Sequence, residues 1–455
     1  MKIGLMIVFI VCVLVISPMA LIMTWTVTSP FVTNFIARPR LNPLWGSHLL
    51  VTYRFYAKPG LDLRELFTYD RIVLALLFLT IMTRREVHRT RYGRVDLPLL
   101  MLSGAVCMSA FFSNNFAHAI RMATDTFGLC YIAYFLGKNY LYEDRHFRKY
   151  LNGLLVLGVV LVAVSLAEYY TFSSGLLYRI TGPFAYWETL GLVLTIVFFV
   201  ALFKRCTGES KSKLVAGGYI TLLALFGLCV FLTLTRTSMI CLLAGLFFIV
   251  AKGRDVISKG AAMKYLSLAA LLVVLIAANP VLVTDAHIYK TRFTLRTDAG
   301  RMTLYRAALR MFLRNPILGL GLGDFRDEQM DYLTPDEQAS QGTRGTCHNS
   351  YLVIAAESGL VGLVPMILLV YFSFRMCLKY YDLAQDKAEK LWALTMGALT
   401  VAYFLSAVTF DQFFEPTIEN KLFYMSLGVS VARYKRLPQR LGNRLTFTAS
   451  LRRTD

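Results

Sequence analysis

The sequence predicts an all-α membrane protein that crosses the bilayer many times, and three observations carry that prediction. Hydrophobic residues make up 56% of the 455, above the roughly 45 to 50% of soluble domains, and the mean hydropathy is +0.54. Apolar runs recur at about the 17 to 25 residues needed to cross a hydrocarbon core roughly 30 Å thick. The short loops between those runs alternate in charge, every second one being rich in Lys and Arg.

About twelve runs qualify as transmembrane helices: residues 3–24, 66–83, 97–112, 119–137, 151–168, 188–203, 214–233, 237–251, 264–283, 350–374, 391–409 and 419–433. The first resembles a signal sequence but exceeds an h-region of about 7 to 15 residues, so it is read as a span. Basic clusters at Arg84–Arg94, Lys138–Lys149, Lys204–Lys213, Lys252–Lys264, Arg375–Lys390 and the tail from Arg433 all fall on one side. That side is cytoplasmic by the positive-inside rule, and both termini share it.

The opposite side receives a long aromatic loop at about 25–65, the segment 169–187, a tight turn at Leu234–Thr237, the long loop 284–349 and an acidic turn with Asp411, Glu415 and Glu419. The whole chain, 1–455, is thus one integral-membrane domain with a large helical loop, 284–349, between the ninth and tenth spans. That loop carries nine Lys and Arg residues, from Lys290 to Arg344; long loops translocate despite such charge.

The net charge of +20 does not indicate nucleic acid, because the basic residues sit in short loops rather than in one patch. Eight Cys are scattered without CxxC spacing, and the six His show no metal-ligand spacing. There is no Walker motif, and no cofactor is expected. Asp324, Asp327 and Glu328 read as solvated loop charges.

Within 284–349 an amphipathic helix is expected, with Arg306, Arg310 and Arg314 at i, i+4 spacing on one face. Asn315-Pro316 stops it, and Gly319–Phe325 (GLGLGDF) follows as a close-approach turn. His348 then sits where the polar loop enters the tenth span. An imidazole there can accept a proton, donate a hydrogen bond or simply cap the helix.

Arg236 interrupts a stretch otherwise apolar from Leu214 to Val250; it faces a cavity or anionic partner, or snorkels from a helix end. Arg179 lies beside Gly182-Pro183, and Arg301 opens the amphipathic helix. Glu357, inside the tenth span, needs a partner or a polar cavity. Several guanidinium groups on the face that carries one His suit a phosphate-bearing lipid, because Arg grips phosphate oxygens with a planar fork.

The segments HNSYLVIAAESGLVG (348–362), AALRMFLRNPILGLGLGDF, LTLTRTS and RITGPFAYWETLG resemble the O-antigen ligase and polysaccharide polymerase superfamily over roughly residues 175–375. Tyr305 stands where that family often has Trp. The resemblance implies a bacterial inner-membrane glycosyltransferase, metal-independent and acting on the periplasmic side. It would take a polyprenyl-pyrophosphate-linked glycan as donor and a glycan or lipid A-core as acceptor, inverting at the anomeric carbon. By matching position, Arg179, Arg236 and Arg301 would bind pyrophosphate and His348 would activate or orient the acceptor hydroxyl. Arg306, Asn349 and Glu357 would serve substrate binding or the site wall. Polymerase and ligase share the motif and stay unseparated; a chain-length regulator is a partner in the polymerase case. A lipid-linked glycan flippase is the alternative class.

Overall fold

A computed structural model describes residues 17–37, 69–83, 92–172, 179–184, 186–208, 212–256, 295–341, 345–411, 413 and 417–451. Among them all regular structure is helical. The elements are α1 (Pro18–Ala37), α2 (Tyr69–Thr83), α3 (Asp96–Phe111), α4 (Phe116–Ala123) and α5 (Leu129–Asn139), with a π-helical turn, Thr124–Gly128, joining the last two. Next come α6 (Asp144–Phe172), α7 (Trp187–Thr207), α8 (Lys213–Leu232), α9 (Arg236–Lys252) and α10 (Leu295–Arg314). The chain then makes α11 (Phe325–Glu328), a 3-10 turn (Gln329–Tyr332), α12 (Pro335–Gln341), α13 (Ser350–Leu383), α14 (Lys387–Ser406) and α15 (Ile418–Leu451).

Four of these helices, α6, α7, α8 and α13, are long and apolar enough to cross a membrane. The expected spans at 97–112, 119–137, 237–251, 391–409 and 419–433, and the described part of 66–83 from Tyr69, also fall mainly on helices. The expected span at 264–283 lies outside the described residues, as does 3–16 of the first. The first described helix starts at Pro18 and runs to Ala37, into the segment read as loop; most of the 25–65 loop lies outside the described residues.

The core is centred on α7, the most buried of the four long apolar helices. It is apolar all round, as a helix enclosed by others must be, and α6, α8, α9, α14 and α15 pack against it. Small residues let backbones close up where side chains would hold them apart. The tightest case joins α5 to α15: a Cβ at Gly137 would overlap the Met425 carbonyl, and one at Gly428 the Tyr134 carbonyl.

Two ion pairs join helices inside the bundle, where a lone charge is costly. Lys421 Nζ lies 2.5 Å from Asp70, whose Oδ1 also accepts Trp25 Nε1 at 3.0 Å and Ser29 Oγ at 2.6 Å. This ties α15 to α2 and α1. Arg71 pairs with Asp125 at 2.5 Å, which ties the π-helical turn to α2.

Candidate active site

The start of α13 is built by its first residues. Asn349 is extended, and its Oδ1 accepts the N–H groups of Tyr351 and Leu352, each at 3.1 Å, which satisfies two of the helix's free donors. His348 before it has φ 55°, a left-handed conformation uncommon for a residue with a Cβ. Such a conformation persists where the surroundings over-determine it, and they do. Asp411 accepts the N–H of His348 at 3.0 Å and that of Asn349 at 3.1 Å, one on each carboxylate oxygen. Ser350 N–H donates to Ala407 O at 2.8 Å and Ser350 Oγ to Phe410 O at 2.8 Å.

The imidazole is half-buried, with Nε2 3.1 Å from Thr346 Oγ1. Asp411 is 7% exposed. Burial raises its carboxyl from its ordinary value, against the pull of the nearby His348 and the two N–H groups.

The same turn that holds His348 also holds the start of α9. Thr237 Oγ1 lies 2.8 Å from Thr409 Oγ1, two residues before Asp411. Arg236 is exposed at the first turn of α9, where helix N–H groups and a guanidinium both favour an anion. Beside it, Arg179 donates Nε–H to Thr233 O at 2.8 Å and Nη2–H to Thr235 Oγ1 at 3.3 Å. Its guanidinium lies over the Trp187 ring, 3.4 Å from the centroid, and 4.0 Å from Glu188. Arg179 therefore braces the 232–235 turn that presents Arg236.

From the other side, α10 approaches His348. Tyr305 Oη donates to His348 O at 3.5 Å, and Arg301, exposed, stands one helical turn before Tyr305. Leu304, Ala308 and Met311 of α10 form a small core with Phe325, Cys347, Val353 and Ala356. Arg306 belongs elsewhere: it reaches Glu337 at 3.3 Å, and Arg310 reaches the same carboxylate at 2.5 Å. The Arg310 hydrogen bond holds the Glu337 carboxyl down at about 2. The expected face of Arg306, Arg310 and Arg314 is real, but the structure uses it to hold the 325–341 segment.

Glu357 lies below the site, buried in α13. Its Oε1 accepts Phe325 N–H at 3.1 Å, and its backbone carbonyl accepts Ser109 Oγ–H at 2.6 Å and Gly321 N–H at 3.1 Å. Two residues on, Gly359 has φ 59° and ψ −156° and breaks the helix. The groups freed there are met by the expected close-approach turn: Leu320 N–H donates to Ala356 O at 3.0 Å, Leu360 N–H to Pro316 O at 2.8 Å and Val361 N–H to Ile317 O at 3.2 Å. Non-helical backbone at membrane depth needs such partners. Asp324 in this turn is not a solvated charge: at 3% exposure it accepts Ser113 Oγ at 2.8 Å and Asn114 N–H at 2.9 Å, because the turn docks on the end of α3.

The 406–411 turn thus meets the His348–Ser350 cap and the start of α9 beside Arg236, which Arg179 braces; Arg301 stands one helical turn from the Tyr305 that touches His348, and Arg306 is engaged with Glu337. Asp411 was not singled out for chemistry from the sequence; the available signal was an acid in a turn on the His348 side. Among the described residues no group of three or more His, Cys, Asp or Glu could hold a metal ion.

Residues 220–367 match the family model described as O-Antigen ligase. This stretch, about a third of the chain, is similar to the O-antigen ligase-like superfamily. The O-antigen ligase-like segment runs from α8 through the break at Gly359 and contains Arg236, Arg301, Arg306, His348, Asn349 and Glu357; Arg179 and Asp411 lie outside it. No curated protein matches the chain. The superfamily implies a membrane glycosyltransferase of the ligase or polymerase type.

Proposed function

We propose that the protein transfers a glycan from a polyprenyl-pyrophosphate carrier to a sugar hydroxyl at the periplasmic face of the bacterial inner membrane. The observation that supports this reading is the meeting of the His348 cap with three elements: the turn whose Asp411 grips it, the Arg236 helix start braced by Arg179 and joined to that same turn, and the Arg301 helix, which touches His348 through Tyr305.

In this reading the guanidinium groups of Arg236 and Arg301 bind the donor pyrophosphate and stabilise the charge it gains on departure. Arg179 keeps Arg236 in place. His348 accepts the proton of the acceptor hydroxyl as it attacks the anomeric carbon, and the buried Asp411 carboxylate offsets the positive charge the imidazole then acquires. One displacement of this kind forms the new glycosidic bond as the sugar–phosphate bond breaks, with inversion. The arginines supply the charge that a metal would supply elsewhere, so transfer proceeds in chelator.

The test is transfer by purified protein with a defined polyprenyl-pyrophosphate oligosaccharide and chelator, with His348→Ala alongside. A ladder of lengthening lipid-linked glycan establishes a polymerase, and a single product formed only with lipid A-core establishes a ligase. Turnover by His348→Ala at the wild-type rate removes the residue from the mechanism. No turnover with either acceptor moves the assignment to a lipid-linked glycan flippase.

A further inference from the structure

Helix α10 has two apolar sides, and among the described residues only one is buried against protein. Leu304, Ala307, Ala308 and Met311 are buried, three of them in the small core shared with α13. Met302, Leu309 and Leu313 are 52%, 49% and 66% exposed, and their spacing of i, i+7, i+11 puts them in one stripe along the opposite side.

The stripe does not stop where α10 does. Ile317, 64% exposed, follows it, and the backbone carbonyls of Pro316 and Ile317 accept Leu360 N–H and Val361 N–H at the break in α13. From that break Leu360, Val364, Ile367 and Tyr371 continue the exposed apolar surface at i, i+4, i+7, i+11. They lie on a helix long and apolar enough to cross a membrane, where an exposed apolar face is covered by lipid. The junction at Leu360 falls about 15 Å along α13 from its first residue, at 1.5 Å per residue. The far end of α10 is therefore held well below the top of that helix.

Cations rim the stripe as they do on helices that lie in a bilayer surface. Arg306 and Arg310, with side chains 58% and 40% exposed, flank it on one side, and Arg301 lies on the other. An exposed apolar surface rimmed in this way marks an interaction site, and its continuity with the lipid-covered face of α13 identifies the occupant.

We propose that α10 is an interfacial helix whose Met302–Leu309–Leu313 stripe lies among the acyl chains of the leaflet on the His348 side. Its guanidinium flanks then stand at the level of the phosphate headgroups. This inference concerns bulk lipid and is independent of any donor, so it is tested without substrate.

The photoreactive residue p-benzoylphenylalanine is placed singly at Leu309, Leu313, Val364 and Asp336 in full-length protein. Each variant is reconstituted in phosphatidylethanolamine and phosphatidylglycerol vesicles, irradiated, and weighed intact. Lipid-mass adducts at Leu309 and Leu313 with yields matching Val364, and their loss at Asp336, are expected. Adducts at Val364 with none at Leu309 and Leu313 overturn the proposal. So do protein–protein adducts at Leu309 or Leu313, which would make a second copy of the chain the occupant.

Discussion

Asp411 grips the chain at His348 from outside the helix that His348 opens. Both carboxylate oxygens are used, one on the N–H of His348 and one on that of Asn349, and the carboxylate sits at a helix N-terminus, where negative charge is favoured.

Replacing Asp411 by Asn substitutes an N–H donor for one acceptor and turns it on a backbone N–H. An unsatisfied buried group of this kind costs about 1–3 kcal/mol, and transfer falls as the His348 conformation relaxes. Because burial raises this carboxyl above its ordinary 3.8, the native state binds more protons than the unfolded one between 3.8 and the raised value. Wild-type stability therefore falls as pH rises through that window. Thermal unfolding from acid to neutral pH should show this decline in the wild type and lack it in Asp411→Asn; equal slopes would contradict the assignment.

Arg179→Lys keeps the charge but loses the planar contacts. The flat guanidinium over Trp187 and its hydrogen bond to Thr233 O have no ammonium equivalent. Loss of stacking alone is worth about 0.5–2 kcal/mol, and the turn presenting Arg236 loosens. The expected result is a raised KM for the lipid-linked donor with intact membrane insertion. An unchanged KM would show that Arg179 does not act through Arg236.

At the break in α13, Gly359→Ala places a Cβ against the Ile317 carbonyl at positive φ. The conformational strain alone costs about 1–3 kcal/mol. Glu357→Gln retains an oxygen for Phe325 N–H, whereas Glu357→Ala strands that donor, at about 1–3 kcal/mol. Thermal unfolding should rank Gln above Ala; the reverse order would mean that the hydrogen bond to Phe325 N–H does not hold the turn.

Lys421→Met leaves Asp70 charged and unpaired between α1, α2 and α15. Breaking a buried pair costs about 3–5 kcal/mol, while replacing both partners by apolar groups is often close to neutral. The double variant Asp70→Leu/Lys421→Met should therefore unfold at a higher temperature than Lys421→Met alone. A double variant less stable than the single would show that the pair is not mutually compensating.

The helical class was legible because it follows from one-dimensional quantities: run length against bilayer thickness, and loop charge against the positive-inside rule. His348 and Arg236 stood out as single polar groups in apolar surroundings, which composition along the chain reveals. The match of residues 220–367 falls within the stretch that resembled the superfamily. Arg306 was read as a substrate-binding residue on the same amphipathic helix as Arg301, and its contact with Glu337, 31 residues away in sequence, is one that the helical pattern does not encode.

What the sequence by itself determined is that apolar helices of membrane-spanning length recur along the chain, since local hydropathy controls that; the placing of His and Arg residues on the face opposite the basic loops is an expectation from loop charge. Only the tertiary structure decided that Asp411 holds His348, that Arg179 braces Arg236, and that the 316–321 turn fills the break at Gly359. Each of those relationships joins segments distant in sequence through hydrogen bonds a few ångströms long. Nothing in the pattern of either segment alone encodes which carbonyl, N–H or carboxylate will face the other.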